Sequence, residues 1–210
     1  MSIKSELRRK ALHLTGLAVP AVYLLLGRDF TLLMIGLFFG LFVVLEPFRI
    51  IEEWRDRIKY HLLKIYPSPE LGKSIERIEN HIEAITRPHE RGRVAAHIYF
   101  AAASFIVVYF FSENVAMGAI SVATLGDAMA AIIGKSFGKH RFKNGKSVEG
   151  SLAYFVTAFM VLLLVVDPLT AFIGSVIGTI VEFYNIPPDD NFSNQVATAL
   201  ALYLAGFLTG

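Results

Sequence analysis

Seven apolar runs fill most of this chain: Ala11 to Gly27, Phe30 to Leu45, Val94 to Phe111, Val115 to Gly134, Ser151 to Val166, Leu169 to Tyr184 and Gln195 to Thr209. About 20 apolar residues in helical form cross a bilayer, and shorter runs are tolerated. Inside lipid only a helix or a closed barrel satisfies its own backbone. With 54% apolar and 18% charged residues in 210, the chain is too apolar for an ordinary soluble domain. The expectation is an all-α polytopic membrane protein, a single domain over 1–210 with about seven transmembrane helices. The first run has a basic flank like that of a signal peptide, but no small-residue cleavage site follows and a second run starts at once, so it reads as retained. The absence of cysteine excludes disulfides, thiolate catalysis and zinc-thiolate sites.

Charge placement orients the runs. With a cytoplasmic N terminus, all the basic residues up to Lys10, those from Arg49 to Arg93, and Lys135, Lys139, Arg141, Lys143 and Lys146 lie inside, leaving only Arg28 of the 20 Lys and Arg outside. An odd number of spans then puts the C terminus on the extracytoplasmic side. The polar insertion from Arg49 to Arg93 carries Ile51, Trp54, Ile58, Leu62 and Ile65, then Leu71, Ile75, Ile78, Ile82 and Ile85, at helical spacing. Ser68-Pro69-Glu70 suits an N-cap followed by proline at the first helical position. Two cytoplasmic amphipathic helices are expected there, lying along the membrane interface or against the bundle.

One acid interrupts the apolar pattern. Asp127 lies in LGDAMAAIIG, well inside its run, where an unpaired charge costs roughly 2.5 to 3.5 kcal/mol. On this topology the inner helix ends also collect His13, Glu46, Glu149, Glu182 and the Asp189-Asp190-Asn191 segment. Carboxylates at one depth suit a hard divalent cation such as magnesium, shared with substrate phosphates. For Glu46 and Asp189, a solvated helix-end charge is as good a reading as a functional one.

The loop after Asp127, GKSFGKHRFKNGKSVEGS, is basic and punctuated by glycine. Its GKS is not a nucleotide-binding P-loop, because position 140 is His140 rather than glycine and the chain has no room for a soluble parallel sheet. Gly134, Gly138, Gly145 and Gly150 allow close backbone approach to phosphates, and Ser147 and Ser151 can cap the next helix, whose positive dipole end favours an anion. Arg141 and Lys143 fit a phosphate contact and an anionic-lipid contact equally. Lys146, beside Ser147 and close before Glu149, fits a specific contact. Arg9 and His13 share a helix face and can reach a phosphate at headgroup level, with Glu6 one turn before Lys10.

Together the opening ELRRKALHLTG, the pair LGDAMAAIIGKSFGK and KSVEGS, and the late segment with Glu182 and PPDDNFSNQVA resemble the CTP-dependent lipid kinases, the group of dolichol kinase, phytol kinase and the CTP-using diacylglycerol kinase. The resemblance implies a polytopic helical fold, CTP as phosphoryl donor, a divalent cation and a long-chain alcohol acceptor. It implies that Asp127 is a metal ligand or the base that orients the lipid hydroxyl. Lys135, Lys139 and Lys146 would hold the triphosphate, Glu149 would join the metal shell with Glu182, and Asp190 and Asn191 would complete the site. Arg9, Lys10 and His13 would contribute to substrate binding. The related cytidylyltransferases, which release pyrophosphate and make a CDP-lipid, are the nearest rival. A cation-coupled transporter is a second rival, opposed by the absence of repeated halves.

Overall fold

The computed structural model describes residues 11, 13–50, 52–85 and 94–209, and among these every extended regular element is a helix. A short 3-10 turn, Thr15–Leu17, leads into α1 (Ala18–Ile50). Then come α2 (Glu52–Ile65), α3 (Pro69–Ile85), α4 (Ala96–Phe110), α5 (Glu113–Phe137), α6 (Val148–Leu162), α7 (Pro168–Tyr184) and α8 (Asp190–Thr209).

Helix α1 is two arms joined at Gly27, whose φ of 78° and ψ of 179° leave the helical region. This φ is open to glycine and strained for other residues. The contacts show the chain turning back there. Gly16, before the break, lies against Phe100 and Thr124. At the break, Arg28 Nε donates to the Val108 carbonyl at 2.9 Å and the guanidinium also reaches the Tyr109 carbonyl. Phe42, beyond it, returns to the level of His97, with ring centroids 4.5 Å apart. Glu46 closes the arm by accepting from the Ala95 amide at 2.7 Å, so this carboxylate serves the first turn of α4. The two arms match the separate apolar runs expected on either side of Gly27.

Helices α4 to α8 reproduce the remaining runs to within a few residues at most boundaries, α8 beginning five residues before Gln195. Helices α5 and α6 form an extensively packed pair, as do α7 and α8. Small residues line these contacts, among them Gly126, Gly150, Gly174 and Gly178, which let helices approach closely without a large apolar driving force. Gly126 and Gly178 flank the fully buried Tyr154 ring: a Cβ at Gly126 would come within 2.7 Å of it, and one at Gly178 within 3.2 Å of the Tyr154 hydroxyl. That hydroxyl donates to Asn194 Oδ1 at 2.5 Å, and the Asn194 amide reaches the Gly178 carbonyl at 3.4 Å. Helices α5 to α8 are thereby locked around one side chain.

The outside of the bundle is apolar. Leu25, Leu164 and Leu208 are 77%, 83% and 76% exposed, and many other Leu, Phe and Val side chains share this surface. Water makes so large a patch unfavourable, whereas acyl chains do not. Two helical runs, Thr15–Pro47 and Glu113–Phe137, are long and apolar enough to cross a membrane, and α4, α6 and α7 are apolar but shorter. In the polar insertion, α3 begins at Pro69 as its start signal predicts, with Ser68 Oγ accepting from the Leu71 amide at 3.3 Å.

Candidate active site

The α5–α6 junction is made by glycines meeting a serine. Gly134 on α5 and Gly150 on α6 face each other so closely that a Cβ at Gly150 would lie 2.9 Å from the Ala130 carbonyl and 3.2 Å from the Gly134 Cα. Ser147 caps α6, its Oγ accepting from the Gly150 amide at 3.1 Å. A Cβ at Gly138 would overlap that serine and the Gly134 carbonyl. These three glycines are therefore explained by helix contact and a tight helix exit. Gly145, with φ 83°, makes the loop's turn.

Between Gly138 and Ser147 the loop folds back on itself. The Phe142 amide donates to the Lys146 carbonyl at 2.8 Å and the Val148 amide to His140 at 3.0 Å. Arg141 donates to the Gly134 carbonyl at 2.9 Å and to the Gly145 carbonyl at 3.4 Å, so its guanidinium closes the C-terminal end of α5. Asn144 donates to the Phe183 carbonyl at 2.8 Å and accepts from the Lys146 amide at 3.1 Å, while the Phe142 and Phe183 rings meet edge to face at 4.8 Å. The loop is clipped onto the end of α7, and this delivers Lys146 to Glu182, with which it forms an ion pair.

Glu182 is 4% exposed, and its second oxygen, Oε2, has no hydrogen-bond partner. The charges of Lys146, Asp127 and Asp190 all act on it. On α5, Asp127 lies 3.4 Å from His13 Nε2, which also contacts the Ala123 carbonyl at 3.4 Å. The charges of Asp127 and Glu182 both act on Tyr154, which stands between their helices. The structure thus pairs Lys146 with Glu182 and His13 with Asp127, each pair drawn from separate segments.

The other expected site residues make different contacts. Glu149 turns toward the loop and takes His140 Nδ1 at 2.8 Å. Its own amide and then the His140 side chain hold its pKa down to about 2. Asn191 donates its side-chain amide to Asp189 at 3.0 Å and to Asp190 at 3.1 Å. Burial, reinforced by the neighbouring Asp190 charge, pushes Asp189 up to about 6. Lys135 and Lys139 are exposed around the end of α5. Ser151 Oγ is buried and has no hydrogen-bond partner. Arg9 and Lys10 lie outside the described residues. Sequence reasoning missed His140, Asn144, Tyr154 and Asn194. For Asn194 a signal existed, an amide at the mouth of an apolar run, whereas an aromatic such as Tyr154 in such a run reads as ordinary packing.

Among the described residues no three His, Asp or Glu side chains are grouped to hold a metal by themselves. The oxygen donors present, with one buried carboxylate oxygen lacking a partner, fit a hard cation that takes its remaining ligands from phosphates and water.

Over 86 residues, 36% of its length, the chain is 36% identical to a dolichol kinase of Schizosaccharomyces pombe, and over 96 residues, 45% of its length, 35% identical to a dolichol kinase of Saccharomyces cerevisiae. The matched segments cover 17% and 18% of those kinases. An uncharacterized protein of Rickettsia prowazekii is 25% identical over 205 residues, 93% of this chain and 92% of that protein. No family model matches the chain, and no solved structure matches it significantly.

Proposed function

We propose that this protein phosphorylates a long-chain lipid alcohol of the polyprenol or dolichol type, using CTP as donor and releasing CDP at the cytoplasmic face of the membrane. The observation that carries the reading is the ion pair between the loop residue Lys146 and the buried Glu182 of α7, in a lipid-facing bundle that also pairs Asp127 with His13. Partial similarity to two dolichol kinases supports the same reaction class. The bias of the basic loops supports a cytoplasmic site, seven crossings and an extracytoplasmic C terminus as part of this reading.

Phosphoryl transfer needs positioning and charge neutralisation more than covalent help from the protein. In this reading Asp127 orients the acceptor hydroxyl and takes its proton, with His13 fixing the carboxylate. The alcohol oxygen bonds to the terminal phosphorus as the bond to the CDP oxygen breaks. Lys146 binds phosphate oxygens, and Lys135, Lys139 and the N-terminal amides of α6 around Ser147, Gly150 and Ser151 favour the anion electrostatically. Glu149 fixes His140 and so the shape of the loop. Glu182 would hold magnesium, with Asp190 adding negative charge nearby, and if Asp127 joined the metal instead it would leave the proton to water. When bound, that ion neutralises charge on the transferred group.

The test is incubation of purified protein with CTP labelled at the terminal phosphate and a panel of lipid alcohols. Labelled lipid phosphate with equal CDP is expected. Pyrophosphate with a CDP-lipid identifies a cytidylyltransferase instead, and nucleotide-independent cation flux in proteoliposomes identifies a transporter.

A further inference from the structure

Lys146 and Glu182 are unequal partners. The carboxylate is fixed on α7 and nearly inaccessible, with one oxygen held by the ammonium and the other without a partner. The lysine side chain is 23% exposed and extends from a loop, so it can swing out while Glu182 cannot follow. Removing one member of a buried pair leaves an uncompensated charge, which is strongly unfavourable. Whatever draws Lys146 away must therefore supply another cation. One Glu182 oxygen faces a single ammonium and the other faces no donor, so a dication can engage both where the lysine engages one.

The complementary deficit lies with the cation. The described residues offer it no cluster of three His, Asp or Glu side chains, so an ion at Glu182 is short of ligands until an anion brings oxygens with it. Each ligand cures the other's shortage. Resting on the kinase reading, we propose that Lys146 is a tethered placeholder for a divalent cation at Glu182, exchanged for that cation when a phosphate-bearing ligand captures the lysine. Cation and phosphate ligand then bind as a positively coupled pair, and neither binds well alone.

Equilibrium binding to the full chain in lipid nanodiscs tests the exchange without turnover. With Mn²⁺ alone, read by its electron paramagnetic resonance signal, Lys146→Met and Lys146→Gln are expected to bind at least tenfold more tightly than wild type. Lys146→Arg, which keeps the pair, matches wild type and serves as the control for folding. With CTP in excess EDTA, Glu182→Gln frees the lysine and is expected to bind the nucleotide at least tenfold more tightly than wild type. Mn²⁺ affinities of both neutral Lys146 variants within twofold of wild type overturn the placeholder. Tighter Mn²⁺ binding with unchanged metal-free CTP binding in Glu182→Gln overturns the coupling to phosphate. Both shifts present, but no labelled lipid in the transfer assay, support the exchange and overturn the kinase reading.

Discussion

Glu46 and Glu182 both lie near the end of an apolar helix and both are buried, at 8% and 4% exposure, yet their surroundings differ. Glu46 accepts the amide of Ala95, the residue just before α4, and closes the hairpin that begins at Gly27. Glu182 is held by a lysine from a loop and keeps one oxygen without a partner. Burial is thus no guide to role. A buried carboxylate that accepts a backbone amide at a helix start does structural work there, whereas one oxygen left without a partner beside a movable side chain is available for exchange.

The contrast can be broken by exchanging charge for amide. Glu182→Gln and Asp127→Asn should each lower phosphoryl transfer by at least about 100-fold while the protein remains inserted and folded, measured by labelled lipid formation. Glu46→Gln should leave transfer near wild type and lower stability by about 1 kcal/mol, read from unfolding in detergent. If Glu46→Gln proved the more damaging to turnover, the assignment of roles would be reversed. Gly126→Ala sharpens the comparison from the packing side. Its methyl group meets the Tyr154 ring beside Asp127, so a loss of roughly 1 to 3 kcal/mol is expected.

The smallest effect concerns Asp189, a carboxylate partly buried beside Asp190 and pushed up to about 6. A folded-state value above the unfolded one favours the protonated form in the folded protein. Its contribution to stability is therefore present below about pH 4 and lost as pH rises through about 6. Asp189→Asn should flatten that part of the profile, checked by comparing unfolding midpoints of the two proteins from pH 4 to 7.

Much of the helical layout could be read in the residues because apolar runs, Ser68-Pro69 and the glycine at position 27 act locally. Asp127 was legible for the same reason, a charge where its neighbours are apolar. The pairing of Lys146 with Glu182 was not, since it depends on a loop clipped to a distant helix end through Asn144 and Phe183. Nor was the use of Gly134, Gly138 and Gly150. A glycine that admits a ligand and one that admits a neighbouring helix look alike until the neighbour is placed.

Without the break at Gly27, the 33-residue run from Thr15 to Pro47 would be a straight rod of about 50 Å, well beyond the ~30 Å thickness of hydrocarbon. It would overshoot the bilayer and carry Glu46 far from the α4 start that it closes. One residue without a side chain therefore sets whether this segment runs on in one direction or doubles back on itself.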